Sequence, residues 1–162
     1  MINRKASCLA LSLIALGVLF SSTVFADDMT STATADMNVK LTVVKSCQVN
    51  VEDMDFGSHS SNDGSITATS QASVTCTNGT GYTMSTDATH DYEMQNTEGS
   101  EKVAYSLYGD KTGGSDLSKT SIPGVGTGTA QVIPLYGKVT GDALQAVSAG
   151  DYTDTVTFTV TY

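Results

Sequence analysis

Tryptophan is absent from these 162 residues, proline and histidine occur twice each, and eight lysines and arginines face seventeen aspartates and glutamates. Each shortage closes off a class of function. Without tryptophan, a lectin loses the broad aromatic face on which sugar rings are often held. The excess of acid repels nucleic acid and anionic membrane surfaces, so no nucleic-acid partner is expected. The two histidines, His59 in "SHSS" and His90 in "THDY", sit in polar, turn-like surroundings that favour a solvated role over a catalytic base. No GxSxG elbow, HExxH pair, glycine-rich phosphate loop or cysteine–histidine nucleophile is present. Asp53 and Asp55 form a carboxylate pair of the kind a glycosidase uses, but acidic residues are so common in this chain that the pair has almost no specificity. The acidic groups "EDMDFG" and "SNDGS" lack the ligand spacing of a calcium loop. The chain is expected to be no enzyme and to need neither metal nor cofactor.

One apolar run stands out, "LALSLIALGVLF", with the basic "MINRK" before it and "SSTVFA" after it. Basic start, short apolar centre and small residues at Val24 and Ala26 predict a signal peptide over residues 1–26. The run is shorter than the roughly 20 residues a membrane span needs, and Cys8 precedes it rather than ending it, which argues against a lipid anchor. Export leaves residues 27–162, enough for one domain, with 6 basic and 17 acidic residues and hence a net charge of −11. Two cysteines remain, Cys47 and Cys76, in a chain bound for an oxidising compartment. Two cysteines allow one connectivity. The predicted disulfide closes a loop of about 30 residues and contributes roughly 3–4 kcal/mol by restricting the unfolded chain.

No window of a dozen residues carries apolar residues at helical spacing, whereas period-two alternation recurs throughout. Met37, Val39, Leu41 and Val43 alternate with polar residues, and Ile66, Ala68, Ala72, Val74 and Cys76 lie on a second such series. "GYTMST", "DYEMQ", "KVAYSLYG" and "TAQVIPLYGKV" follow as strands between turn-rich segments. Pro134 in the last of these predicts an edge position or a bulge. The glycine-rich stretch from Gly109 to Gly128 carries no motif. Six or seven short strands near ten residues apart predict an antiparallel β-sandwich of immunoglobulin-like type, with a closed barrel as the second architecture. The closing "DYTDTVTFTVTY" reads as a final strand in which Val156, Phe158, Val160 and Tyr162 alternate with threonines.

Such an apolar strand with nothing after it is expected to leave an open sheet edge. Near the other end, the polar "DDMTSTATAD" leads into the alternating "MNVKLTVV", a tethered strand suited to adding to another molecule's sheet. The set "VKLTVVKSC", "SVTCTNGT", "VAYSLYGD", "PLYGKV" and "AGDYTDTVTFTVTY" resembles the spore coat protein U domain family, which includes subunits of archaic, Csu-type chaperone–usher pili. The resemblance covers nearly the whole mature chain, and Gly150, Asp151, Tyr152, Asp154 and Tyr162 are its most specific part.

That resemblance implies an incomplete immunoglobulin-like sandwich lacking its last strand, completed by donor-strand complementation. It implies a periplasmic chaperone that lends a strand, an outer-membrane usher that exchanges it, and neighbouring subunits joined in a linear polymer on the cell surface. Carried onto this chain, Met37, Val39, Leu41 and Val43 are the donor face. Val156, Phe158, Val160 and Tyr162 line the acceptor groove, and the Tyr162 carboxylate is an anchor for basic chaperone residues. The alternative for Met37–Val43 is a first strand packed within its own domain. The expected organisation is a signal peptide over 1–26, an N-terminal extension with the donor strand over 27–44, and a pilin domain over 45–162. The leading function is a fimbrial subunit supporting adhesion and biofilm formation. A secreted spore-coat-type protein and a tip adhesin are the alternatives.

Overall fold

Period-two segments rich in threonine, valine and aromatic residues form strands because such side chains fit a pleated, half-buried surface. The computed structural model describes residues 31–162, and the signal peptide expected over residues 1–26 lies outside them. The chain divides into two units, Met1–Lys40 and Leu41–Tyr162. The second contains β1 (Cys47–Val51), β2 (Ile66–Cys76), β3 (Gly81–Thr86), β4 (Glu93–Asn96), β5 (Lys102–Tyr108), β6 (Ile122–Val125), β7 (Gln131–Val139), the short helix α1 (Gly141–Gln145), β8 (Tyr152–Thr153) and β9 (Phe158–Thr161).

Every strand pairing is antiparallel. One sheet runs β1-β2-β7-β5-β4-β8 and the other β6-β3-β9. The turn-forming "TNGTG" carries the chain from β2 in the first sheet to β3 in the second. Gly79 there takes φ +76, a left-handed conformation that glycine adopts without strain. Between the sheets lie Ala72, Val74 and Cys76 of β2, Tyr82 and Met84 of β3, Leu107 of β5, Leu135 of β7 and Leu117 from the β5–β6 connection. This is the all-β, immunoglobulin-like sandwich that the strand pattern predicts.

Two local readings, at Pro134 and in the closing strand, need correction, and two further elements join the pattern. Pro134 is not on an edge strand, since β7 lies between β2 and β5. However, β5 pairs only with Tyr136–Val139, so the half of β7 that holds Pro134 has a neighbour on one side alone, the locally edge-like position in which proline is tolerated. Within Gly109–Gly128, which carries no motif, Ile122–Val125 forms β6 beside β3. Its backbone reaches that position because Tyr82 packs where a side chain at Gly124 would have stood. The closing alternation is not one strand. β8 pairs with β4 in the larger sheet, and β9 pairs with β3 in the smaller one. Finally, "GDALQ" is helical, capped by Thr140, whose hydroxyl accepts the Ala143 N–H at 3.3 Å.

Candidate functional site

Two strands have an unpaired edge on the same side of the sandwich. Among the described residues β1 pairs with β2 alone and β9 with β3 alone, and β1 and β9 approach each other across the gap between sheets. Directly paired residues in antiparallel strands point to one face. Because Cys47, Val49 and Val51 pair with the buried Cys76, Val74 and Ala72, they face the core. By the same rule Phe158 and Val160, paired with Thr86 and Met84, face it from the other sheet. Val49 is nevertheless 38% exposed. Core-facing apolar residues on both edges are left partly uncovered, and the space between the edges is a groove.

At one end the groove opens into a cleft of ≈ 500 Å³ lined by Val51, Met54, Phe56, Leu107, Val156 and Phe158. Met54 and Phe56 reach it by crossing β7 at Gly137. A Cβ at that position would come within 2.3 Å of Met54 Sδ and 2.7 Å of Phe56 Cζ. Gly137→Ala is therefore expected to push both side chains aside and cost about 1 kcal/mol. A urea midpoint measures that loss, and a changed affinity for whatever enters the cleft would report the altered shape.

The cleft is acidic as well as apolar. Glu52, Asp53, Asp55 and Asp154 line it, and no lysine, arginine or histidine does. Asp154 lies where the chain leaves β8 and crosses to the second sheet. The Tyr105 hydroxyl donates to its Oδ2 at 2.5 Å, His90 Nε2 lies 2.8 Å from the same oxygen, and the Thr155 N–H donates to Oδ1 at 2.7 Å. Tyr105 stacks edge-on with Tyr92 and Phe56, while the Tyr92 hydroxyl is 2.5 Å from Thr86 Oγ1. The clasp thus fixes the crossover that delivers Val156 to the groove.

Partial burial opposes ionisation of Asp154, but the hydrogen bonds from Tyr105, His90 and Thr155 outweigh it and hold its carboxyl below the ordinary carboxylate range. Burial, reinforced by the bond to Asp154, pushes the Tyr105 phenol far above its usual value. A depressed carboxylate stabilises the fold fully above its unfolded value of about 3.9 and loses that contribution as pH falls through the lower folded value. Asp154→Asn is accordingly expected to be less stable than the parent at pH 7. The difference in denaturant midpoint should shrink only below about pH 4, as the parent's own carboxylate takes up its proton.

The predicted disulfide is present: Cys47 and Cys76 are directly paired across β1 and β2, with an S–S distance of 2.01 Å. Of the predicted groove residues, Val156, Phe158 and Val160 are half-buried against the core cluster, and Tyr162 is 54% exposed beyond β9. The predicted donor residues form no strand. Residues 31–46 have no regular secondary structure, and Met37, Val39, Leu41 and Val43 are all strongly exposed, Leu41 at 88%. Sequence reasoning missed the β1 wall, although "CQVNV" carries the alternation of Cys47, Val49 and Val51. It also missed Met54 and Phe56, which no strand pattern could have placed. Among the described residues no helix is long and apolar enough to cross a membrane, and no group of three metal-ligating side chains converges.

No curated protein matches the chain. A solved structure with a similar fold is the crystal structure of the CsuC–CsuE chaperone–tip adhesion subunit pre-assembly complex from archaic chaperone–usher Csu pili of Acinetobacter baumannii. The match has a TM-score of 0.58 at 18% sequence identity and covers 75% of this chain, which spans 41% of that one. The Spore Coat Protein U domain model matches residues 33–159, from ahead of the exposed Met37–Val43 segment to within β9. The chain belongs to the Spore Coat Protein U domain family.

Proposed function

We propose that this chain is a structural subunit of an exported chaperone–usher pilus, and that the groove between β1 and β9 accepts a strand from another polypeptide. The carrying observation is the pair of unpaired edges whose core-facing residues stay partly uncovered, Val49 most plainly. In the same chain, four exposed apolar residues at alternate positions, Met37, Val39, Leu41 and Val43, form no strand of their own. On this reading residues 27–44 are the donor extension, and residues 45–162 the body that accepts the extension of the next subunit.

Burying four such side chains supplies roughly 1.5–3 kcal/mol each, reduced by the cost of ordering the strand. The contact joins the extension of one copy to the groove of the next. It is heterologous and does not close on itself, which gives a fibre rather than a ring. Before assembly the same groove would expose apolar surface and an unpaired edge, a liability that a periplasmic chaperone relieves by lending a strand until an outer-membrane usher allows exchange. The similarity to a subunit captured with its chaperone supports such a partner. The fibre stands on the cell surface and serves adhesion and biofilm formation.

Deleting residues 27–43 tests this reading. The truncated subunit should still bind the chaperone, because its groove is intact, and should form no polymers. Polymers of unchanged length would overturn the donor assignment.

A further inference from the structure

No lysine, arginine or histidine among the described residues lines the acidic end of the groove. Among the described residues, none of Glu52, Asp53 and Asp55 makes an ion pair with a lysine, arginine or histidine, whereas Asp154 is already clasped by His90. The Glu52 carboxylate accepts the Gln71 side-chain N–H, the Asp55 carboxylate accepts the Gly57 N–H, and the Asp53 carboxylate has no hydrogen-bond partner among the described residues. Four carboxylates around one apolar cleft repel one another and lower the potential at its mouth.

Two independent observations say what arrives there. Every strand pair in this protein is antiparallel, so a strand added to the free edge of β9 in the same manner runs opposite to it. The two period-two series also match, since Val39 and Leu41 can face Val160 and Phe158 within β9, with Met37 and Val43 reaching toward Tyr162 and Val156 on either side of it. The next step carries Lys45 past Phe158, where β9 begins, toward the cleft that Asp53, Asp55 and Asp154 line together with Val156 and Phe158. The reverse direction brings Asp36 to the acidic mouth and carries Lys45 to the far end.

Building on the donor-strand reading, we infer that the acidic mouth formed by Asp53, Asp55 and Asp154 receives Lys45 of a second copy of this chain, and so fixes the direction and register of the inserted strand. The apolar series alone specifies register weakly, because shifting it by two residues keeps the same face inward. Such a shift leaves Lys45 short of the carboxylates or drives it into the apolar cleft. The charge match therefore separates registers that hydrophobic burial leaves nearly equal.

The test measures assembly rates of the mature full-length chain. Lys45→Glu should slow assembly about tenfold at low salt, with the gap closing toward 1 M salt, where the screening length is about 3 Å. Lys111→Glu, an equal change in net charge on an exposed loop, should assemble at the parent rate. Combining Lys45→Glu with Asp53→Lys and Asp55→Lys should recover the rate to within about threefold. Equal rates for Lys45→Glu and Lys111→Glu, or a Lys45→Glu defect that salt leaves unchanged, would overturn the inference.

Leu41→Asp separates this from the underlying reading. If Leu41→Asp stops polymerisation while Lys45→Glu matches Lys111→Glu, the charge match fails and the donor strand stands. If Leu41→Asp polymerises normally, the donor strand itself fails. Mixed-isotope polymers treated with a carbodiimide give a second readout. An intermolecular amide between Lys45 and Asp53, Asp55 or Asp154 is expected, and links from Lys40 to those carboxylates instead would overturn the register.

Discussion

Replacing both Cys47 and Cys76 by alanine is expected to remove about 3–4 kcal/mol of stability, from the chain-entropy relation for residues 29 apart. That is a large fraction of the 5–15 kcal/mol typical of a folded domain. The loss should also be local. Among the described residues β1 has β2 as its only sheet neighbour, and the bridge joins the first residue of β1 to the last of β2. Without it β1 frays first, and the groove loses the wall that carries Val49 and Val51. Cys76 is 1% exposed, so shortening it to alanine adds a packing loss. Urea unfolding measures the global effect. Hydrogen exchange measures the local one, with Gln48–Val51 expected to lose protection before the centre of β2. An unchanged midpoint would show that β1 is held in place by the rest of its packing.

The second large effect is expected at Leu41. Its side chain is 88% exposed in the isolated subunit, so Leu41→Asp should leave the unfolding midpoint of the monomer unchanged. On the proposed donor-strand reading, the same position becomes buried between the two sheets of the next subunit. The substitution forfeits roughly 1.5–3 kcal/mol of burial and places an unpaired carboxylate in an apolar site at a cost of several kcal/mol more. At 1.4 kcal/mol for each factor of ten, the association constant should fall by three or more orders of magnitude. Leu41→Ala loses only the burial and should weaken assembly by about one to two orders of magnitude. Polymer ladders compared between the two variants and the parent check both the direction and the ordering.

Strands with clean alternation and many partners were legible in the sequence. β2 shows its inward face as Ala68, Ala72, Val74 and Cys76, all buried, and β3 shows Tyr82, Met84 and Thr86. Elements set by tertiary context were not. β6 includes both Pro123 and Gly124, poor strand formers that lie beside β3 only because Tyr82 needs the space above a glycine. The final twelve residues alternate without a break, yet the chain crosses between sheets at residues 154–157. Local pattern encodes which side chains face inward but not which sheet receives them, and here the Asp154 clasp with Tyr105 and His90 marks the crossing.

The candidate site was half legible for the same reason. Val156, Phe158 and Val160 announce an apolar face, and Met37–Val43 announces another, so the sequence carries both partners of the proposed contact. The opposite wall of the groove comes from β1, a short strand whose alternation spans only Cys47, Val49 and Val51. Its importance follows from sheet order, which is a long-range property. The acidic mouth likewise unites Asp53 and Asp55 with a carboxylate about a hundred positions away in the sequence, Asp154.

The most direct measurement is amide hydrogen exchange on residues 37–43 and 158–161, compared between monomeric subunit and assembled polymer. In the monomer, residues 37–43 have no strand partner and β9 has one free edge, so the first segment should exchange at close to unstructured rates. On assembly both segments are expected to become protected together, by orders of magnitude, and Leu41→Asp should prevent the change in both. Polymers in which residues 37–43 exchange as fast as in the monomer would contradict strand insertion as the link between subunits.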